Sequence, residues 1–190
     1  DPWAWLAPAV FSDAGAATVF CLGPEQGKKG ILRTYSKVLA GNFLMERKLG
    51  GSRYPLLAEN VDCDAVTMNA TLVNEKFGIV MRELYDQLLH DWPKFIAPIL
   101  GYSFDLSKVK FFFFHQANLR KIESVVQLLG LPHDRVPTNI SWLGNSSAPS
   151  TLQLLDEARR SCAALSGDLI VFFWVGGGNG AHYGYSVAVL

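Results

Sequence analysis

Phe111, Phe112, Phe113 and Phe114 follow one another without interruption, and few local patterns restrict a fold as tightly. Four adjacent aromatic rings leave water together only on a strand covered on both faces, because successive side chains point to opposite sides. The run ends abruptly at His115-Gln116-Ala117-Asn118. A side chain at that break stands at the carboxyl end of a buried strand, where open α/β sheets hold their ligands. Two similar breaks follow, at Gly144-Asn145-Ser146-Ser147 and at Gly176-Gly177-Gly178. Three of them in one chain outline a crevice.

Composition narrows the class. The 190 residues suffice for one domain, or part of a larger one, with a sizeable core. Hydrophobic residues at 49% and charged residues at 18% exclude a disordered chain. Lys plus Arg equals Asp plus Glu at 17 each, which argues against a broad nucleic-acid surface. No apolar run approaches the ~20 residues of a membrane span, and Asp1-Pro2-Trp3-Ala4-Trp5 lacks the basic start of a signal peptide. Neither nucleic acid nor membrane is therefore expected as a partner. Cys21, Cys63 and Cys162 are an odd, scattered set without CxxC spacing, which fits a reducing cytoplasm.

Residues 16–22 and 30–39 read as strands, and 41–62, with Gly50, Gly51, Pro55 and basic residues, as an exposed excursion. From residue 69 the period becomes helical, with Val73, Phe77, Val80, Leu84 and Leu88 on one face and Pro93 and Pro98 limiting its run. A strand over 109–114 precedes a helix over 118–129, which Gly130 stops. Residues 136–142 then read as a strand, and 147–165 as a helix with Leu152, Leu155, Ala158 and Cys162 inward. Strands over 169–175 and 183–190 end the chain. The alternation predicts an α/β fold: a mostly parallel five-stranded sheet with helices on both faces and an antiparallel last strand. Residues 1–28 read as the tail of a preceding unit, and 29–190 as the unit that carries the three breaks.

Each break alone has a plain structural explanation. His115 could be a partly buried histidine satisfied by backbone. Asn145 could be a turn residue beside a helix N-cap, and the glycines a hairpin turn. Chemically, an imidazole can donate to a carbonyl oxygen or act as a base near neutral pH. An asparagine NH₂ is a neutral donor for an oxyanion, and glycines let backbone N–H groups approach a substrate closely. No Gly-Lys-Ser/Thr follows the triple glycine, so it is not a P-loop. Their placement at consecutive strand ends favours the chemical reading.

The segments His115-Gln116-Ala117-Asn118-Leu119-Arg120, Gly144-Asn145-Ser146-Ser147-Ala148 and Gly176-Gly177-Gly178 resemble, in order and spacing, the carboxyl-terminal half of β-ketoacyl-acyl-carrier-protein synthase III, in the thiolase superfamily. Phe11-Ser12-Asp13-Ala14-Gly15-Ala16-Ala17 is similar to that family's Gly-Asp-Gly-Ala-Gly-Ala segment, late in its first half. The likeness is poor over residues 23–68. The resemblance implies a thiolase-like half. It implies that His115 and Asn145 face the thioester carbonyl of a malonyl extender, and that the Gly177 N–H helps hold the oxyanion at an acyl-cysteine. Asn118 resembles a residue lining the pantetheine tunnel, and Arg120 one that meets acyl carrier protein or CoA phosphates. Phe77 resembles a residue of the substrate channel, although packing on an amphipathic helix explains it equally well. No cofactor is implied, since CoA and acyl-carrier-protein thioesters enter as substrates. Family members resemble two-fold dimers.

The family's reaction starts on a cysteine at a helix N-terminus, and none of the three here suits that role. Cys21 lies in an apolar run. Cys63, between Asp62 and Asp64, sits where a thiol pKa is raised, and Cys162 lies late in a predicted helix whose dipole opposes a thiolate. The nucleophile is therefore expected on a cysteine-bearing amino-terminal half or subunit. The opening at Asp1, just upstream of the segment resembling the end of a first half, favours a portion of a longer synthase over a natural subunit. The expected activity is decarboxylative Claisen condensation of an acyl-CoA starter with a malonyl thioester, in fatty-acid or polyketide biosynthesis. The alternatives are an acyltransferase on the same fold and a non-catalytic subunit of a heterodimer.

Overall fold

The computed structural model describes residues 12, 14–18, 29–39, 45–47, 66–68, 70–176 and 181–190. The element order is β1 (Gly30–Leu39), β2 (Met45–Arg47), β3 (Val66–Met68), α1 (Ala70–Asp91), a π-helical turn (Trp92–Ile96), α2 (Ala97–Leu100), β4 (Val109–Phe114), α3 (Leu119–Leu129), α4 (Ile140–Leu143), α5 (Ser150–Arg160), β5 (Leu169–Gly176) and β6 (Ala181–Val189). The main sheet has the order β1-β6-β5-β4, and β2 pairs with β3 alone.

The aromatic run forms β4, parallel to β5, with Phe112, Phe113 and Phe114 all buried. Phe112 and Phe114 join Val171, Phe173, Tyr183 and Tyr185 in the larger core, beneath Leu84 and Leu88 of α1 and Ile122, Val125 and Val126 of α3. Phe113 faces the other way, with Ile170 and Ala188, against Leu154 and Ala158 of α5. Helices thus cover both faces, and the last strand is antiparallel, as the pattern predicts.

Three expectations need correction. Residues 136–142 form no strand: a 3₁₀ turn at His133–Arg135 leads through irregular chain into α4. Pro137 lacks a ladder donor, and the Asn139 carbonyl accepts from Trp142 and Leu143 instead. The main sheet is therefore four-stranded and mixed rather than five-stranded and mostly parallel, because β1 also enters antiparallel, on β6. The expected helix over 147–165 shortens to α5. Ser147 adopts φ 59° at its start, and Cys162, at φ 57°, is exposed in the turn beyond its end rather than directed inward. Pro93 interrupts the α-helix as expected: α1 ends at Asp91, immediately before the turn that contains the proline. The missing N–H is absorbed by a π turn, and the helical path continues to Leu100. The predicted strand over 16–22 has residues 16–18 without regular structure, and its remainder lies outside the described residues.

Asp91 ties this end of α1 to the sheet. A carboxylate in a helix's last turn is opposed by the helix dipole, and a buried one needs full hydrogen bonding. Arg33 of β1 supplies Nε at 2.8 Å and Nη2 at 2.7 Å, Tyr185 of β6 its hydroxyl at 2.7 Å, and Gln87 its Nε2 at 2.7 Å. The guanidinium also lies 4.1 Å above the Phe95 ring of the π turn. Burial by itself would raise the Asp91 pKa; the bonds from Tyr185, Arg33 and Gln87 win and hold it below the usual carboxylate value. Beside this cluster the sheet closes over Gly184, where a Cβ would stand 2.2 Å from the Trp174 ring and 2.3 Å from the Tyr35 carbonyl oxygen.

Asp91→Ala strands Arg33 and the Tyr185 hydroxyl. The expected loss is on the order of 2–4 kcal/mol in urea denaturation, toward the low end for a buried pair because Arg33 keeps some water. A loss below ~0.5 kcal/mol, the scale of a surface change, would show that the cluster does not anchor α1.

Candidate active site

His115 is the first residue past β4, and its backbone N–H still bonds the Phe173 carbonyl at 3.0 Å. The parallel ladder therefore fixes the point at which the chain leaves the sheet. The ring is partly buried, and its Nδ1 lies 3.0 Å from Ser150 Oγ at the start of α5. The same hydroxyl accepts the Gln116 N–H at 3.2 Å, and Ser150 is fully buried. Burial pushes the His115 pKa down, and a hydrogen bond to the Ser147 backbone offsets this only in part. The lowered value favours the neutral imidazole at pH 7.

Asn145 is buried in the tight turn between α4 and α5. Its Oδ1 accepts the Ser147 N–H at 2.9 Å. A backbone N–H can only donate, so this contact fixes the amide's orientation and directs its NH₂ away from the turn. The Asn145 carbonyl accepts the Ser12 N–H at 3.0 Å, which brings the segment upstream of the sheet to this turn. Ser147 also accepts the Ser150 N–H at 3.1 Å through its carbonyl. His115 and Asn145 are thus joined through Ser147 and Ser150.

Gln116, Asn139, Ser150 and Glu157 support the site and were not singled out from sequence. Gln116 is fully buried; its Nε2 donates to the Phe114 carbonyl at 2.8 Å and its Oε1 accepts the Asn139 N–H at 3.1 Å. Asn139 in turn donates from Nδ2 to Glu157 Oε1 at 3.1 Å. The available signal was polarity: a glutamine directly after four phenylalanines must enter the interior or break the strand.

Other expected residues stand apart. Asn118 is exposed and caps α3, its side chain accepting the Lys121 N–H at 3.2 Å. That bond uses Oδ1 and leaves the amide NH₂ for another partner. Arg120 is exposed in the first turn of α3. Phe77 packs, half-buried, on the larger core. Gly177 and Gly178 lie outside the described residues, as do Cys21 and Cys63, while Gly176 ends β5. Among the described residues, no three His, Cys, Asp or Glu side chains gather as a metal site would require, and no helix is long and apolar enough to cross a membrane.

A histidine with a lowered folded-state pKa binds its proton more readily when unfolded. Stability is then unaffected well above the ordinary value of 6.5 and falls as pH drops through 6.5 toward the folded value. Denaturation midpoints should decline from pH 7.5 to 5.5, with a His115 slope of at most about 1.4 kcal/mol per pH unit. His115→Gln should flatten that decline; an unchanged slope would place the responsible group elsewhere.

Residues 102–187 match the family model of the 3-oxoacyl-[acyl-carrier-protein] synthase III C-terminal region. The chain is 40% identical over 98 residues to β-ketoacyl-[acyl-carrier-protein] synthase III of Lactobacillus delbrueckii subsp. bulgaricus, covering 51% of this chain and 31% of that protein. It is 30% identical over 172 residues to the protein of the same name from Desulfotalea psychrophila, covering 89% and 49%. The chain thus spans no more than about half the length of these relatives. In fold it is similar to the crystal structure of 3-oxoacyl-(acyl carrier protein) synthase III from Pseudomonas aeruginosa PAO1, with a TM-score of 0.69 at 21% identity over 100% of this chain and 53% of that one. The corresponding structure from Aquifex aeolicus VF5 gives 0.64 at 23% identity over 87% and 46%. Residues 102–187 therefore match the carboxyl-terminal region of the 3-oxoacyl-[acyl-carrier-protein] synthase III family, and the chain shares the fold of those synthases.

Proposed function

We propose that this chain supplies the enolate-forming half of a ketosynthase III-like condensing site. Its substrates would be an acyl-CoA starter and a malonyl thioester carried by acyl carrier protein, in fatty-acid biosynthesis or a related polyketide assembly. A cytoplasmic setting and a two-fold dimer belong to the same reading. The starter acyl group would sit on a cysteine outside residues 1–190. Breaking the malonyl C–C bond releases carbon dioxide and leaves the electron pair as a thioester enolate. The enolate carbon attacks the acyl-cysteine carbonyl, a C–C bond forms, and collapse of the tetrahedral oxyanion expels the cysteine thiolate.

The observation that carries this reading is a pair of neutral donors held in advance, His115 at the end of β4 and Asn145 on the turn before α5, connected through Ser147 and Ser150. The Asn145 amide is oriented through its own Oδ1, and the neutral His115 ring is held through Nδ1. Both can meet a developing enolate oxygen without first reorganising, which is the main source of catalytic power at such sites. A neutral imidazole also avoids presenting a full positive charge to the carboxylate that must leave. Gly177 would offer its N–H to the second oxyanion. Arg120, exposed on the first turn of α3, would meet a phosphate or an acidic carrier surface, with Asn118 and Phe77 along the approach. An acyltransferase on this fold would need no enolate donor, and the fixed Asn145 amide weighs against it. It weighs equally against a purely structural subunit.

The test uses the enzyme assembled with its cysteine-bearing half. Asn145→Ala should lower condensation and malonyl decarboxylation about 10²–10³-fold, the usual cost of one oxyanion donor, while acyl loading of the cysteine stays near wild type by intact mass. Equal losses in loading and condensation would refute the enolate role and return the acyltransferase reading.

A further inference from the structure

We infer that Ser150 is a positioning residue that sets the tautomer of His115, donating its hydroxyl proton to Nδ1 and so keeping the ring proton on Nε2. The inference follows from hydrogen-bond accounting at a fully buried hydroxyl. Ser150 Oγ has two partners among the described residues, the Gln116 N–H at 3.2 Å and His115 Nδ1 at 3.0 Å. The Gln116 N–H is a donor and takes one lone pair of the oxygen. Were Nδ1 also protonated, Ser150 would receive two donors, and its own buried proton would have no acceptor. A neutral Nδ1 removes that conflict, since it accepts the serine proton, and both hydrogens at the Ser150 oxygen are then paired.

The surroundings keep the serine in this role. Gln116 cannot swing away, because its side chain bonds the Phe114 carbonyl and the Asn139 N–H. Ser150 cannot turn out to solvent without lifting the start of α5, whose first N–H bonds the Ser147 carbonyl. Ser147 orients Asn145 through its own N–H. One serine therefore couples the histidine's protonation pattern to the turn that carries the asparagine. The tautomer rests on this geometry alone. Its catalytic consequence, an Nε2–H donor for the enolate oxygen, rests on the condensing reading above.

The test is nitrogen NMR of the protein labelled with ¹⁵N-histidine, at a pH where the rings are neutral. The chain has four histidines, and the His115 signals are assigned by their loss in His115→Gln. In the wild type the His115 proton should reside on Nε2. Ser150→Ala should lower the ratio of Nε2–H to Nδ1–H at least about fivefold, the scale of one buried unmade hydrogen bond, with dispersed backbone amides showing the fold retained. Ser150→Thr, which keeps the hydroxyl, should restore the wild-type ratio. A dominant Nδ1–H in the wild type, or an unchanged ratio in Ser150→Ala, overturns the inference. Should Ser150→Ala fail to fold, the wild-type spectrum still decides. In the assembled enzyme Ser150→Ala should slow malonyl decarboxylation more than acyl loading. A correct tautomer in an assembly that never decarboxylates malonyl thioesters would refute the condensing reading and leave the Ser150 assignment standing.

Discussion

The parallel pairing of β4 with β5 fixes where every other part of the site falls. Its register sets Phe113 opposite Phe172 and Phe114 opposite Phe173, with ring centroids 5.3 Å and 5.0 Å apart. Side chains alternate along a strand, so a slip of one residue would exchange the two buried faces and turn His115 away from Ser150. Both faces of β4 are apolar, and hydrophobicity alone would not forbid such a slip. The specification comes from shape and hydrogen bonding: the stacked rings, the His115 N–H on the Phe173 carbonyl, and Gln116 folded back onto Phe114.

Much of this was legible in the chain itself. The bounds of β1 and β4 follow directly from their patterns, and α3 from its apolar face and from Gly130, which closes it at φ 65°. Val80, Leu84 and Leu88 are buried on the face that their spacing predicts. His115 and Asn145 could be singled out because polar residues at buried strand and turn ends are conspicuous. What escaped was decided by tertiary contacts. Residues 136–142 have a strand-like composition, yet the Asn139 N–H bonds Gln116 and its side chain bonds Glu157, partners remote in sequence. Ser150 carries no signal of its own in the sequence. Only the fold shows that its hydroxyl faces a histidine 35 positions away.

The Asp91 cluster serves the same end at a distance. It fastens α1 to β1 and β6, and α1 in turn covers the face on which Phe112 and Phe114 lie. Tyr185 belongs to both systems. Its hydroxyl serves Asp91, its ring stacks on Tyr35 at 5.8 Å, and its backbone pairs opposite Phe173. Burial first, and then the bond to Asp91, push the tyrosine pKa well up, so the phenol stays a donor throughout the physiological range. The polar anchor and the aromatic core therefore act as one structure rather than two layers.

The bond from the Ser12 N–H to the Asn145 carbonyl has a consequence for the order of folding. It closes a loop over most of the chain, as does the pairing of β1 with β6, in which Thr34 meets Ser186 across 152 positions. Contacts of such separation form late, because chain entropy is lost before they repay it. The segment between them, from α1 through β5, can collapse on local contacts first. The turn that presents Asn145 is then clasped from upstream only once both ends of the sheet have met. A nascent polypeptide makes the Ser12 donor well before the Asn145 acceptor and must hold it, unpaired, until the acceptor emerges.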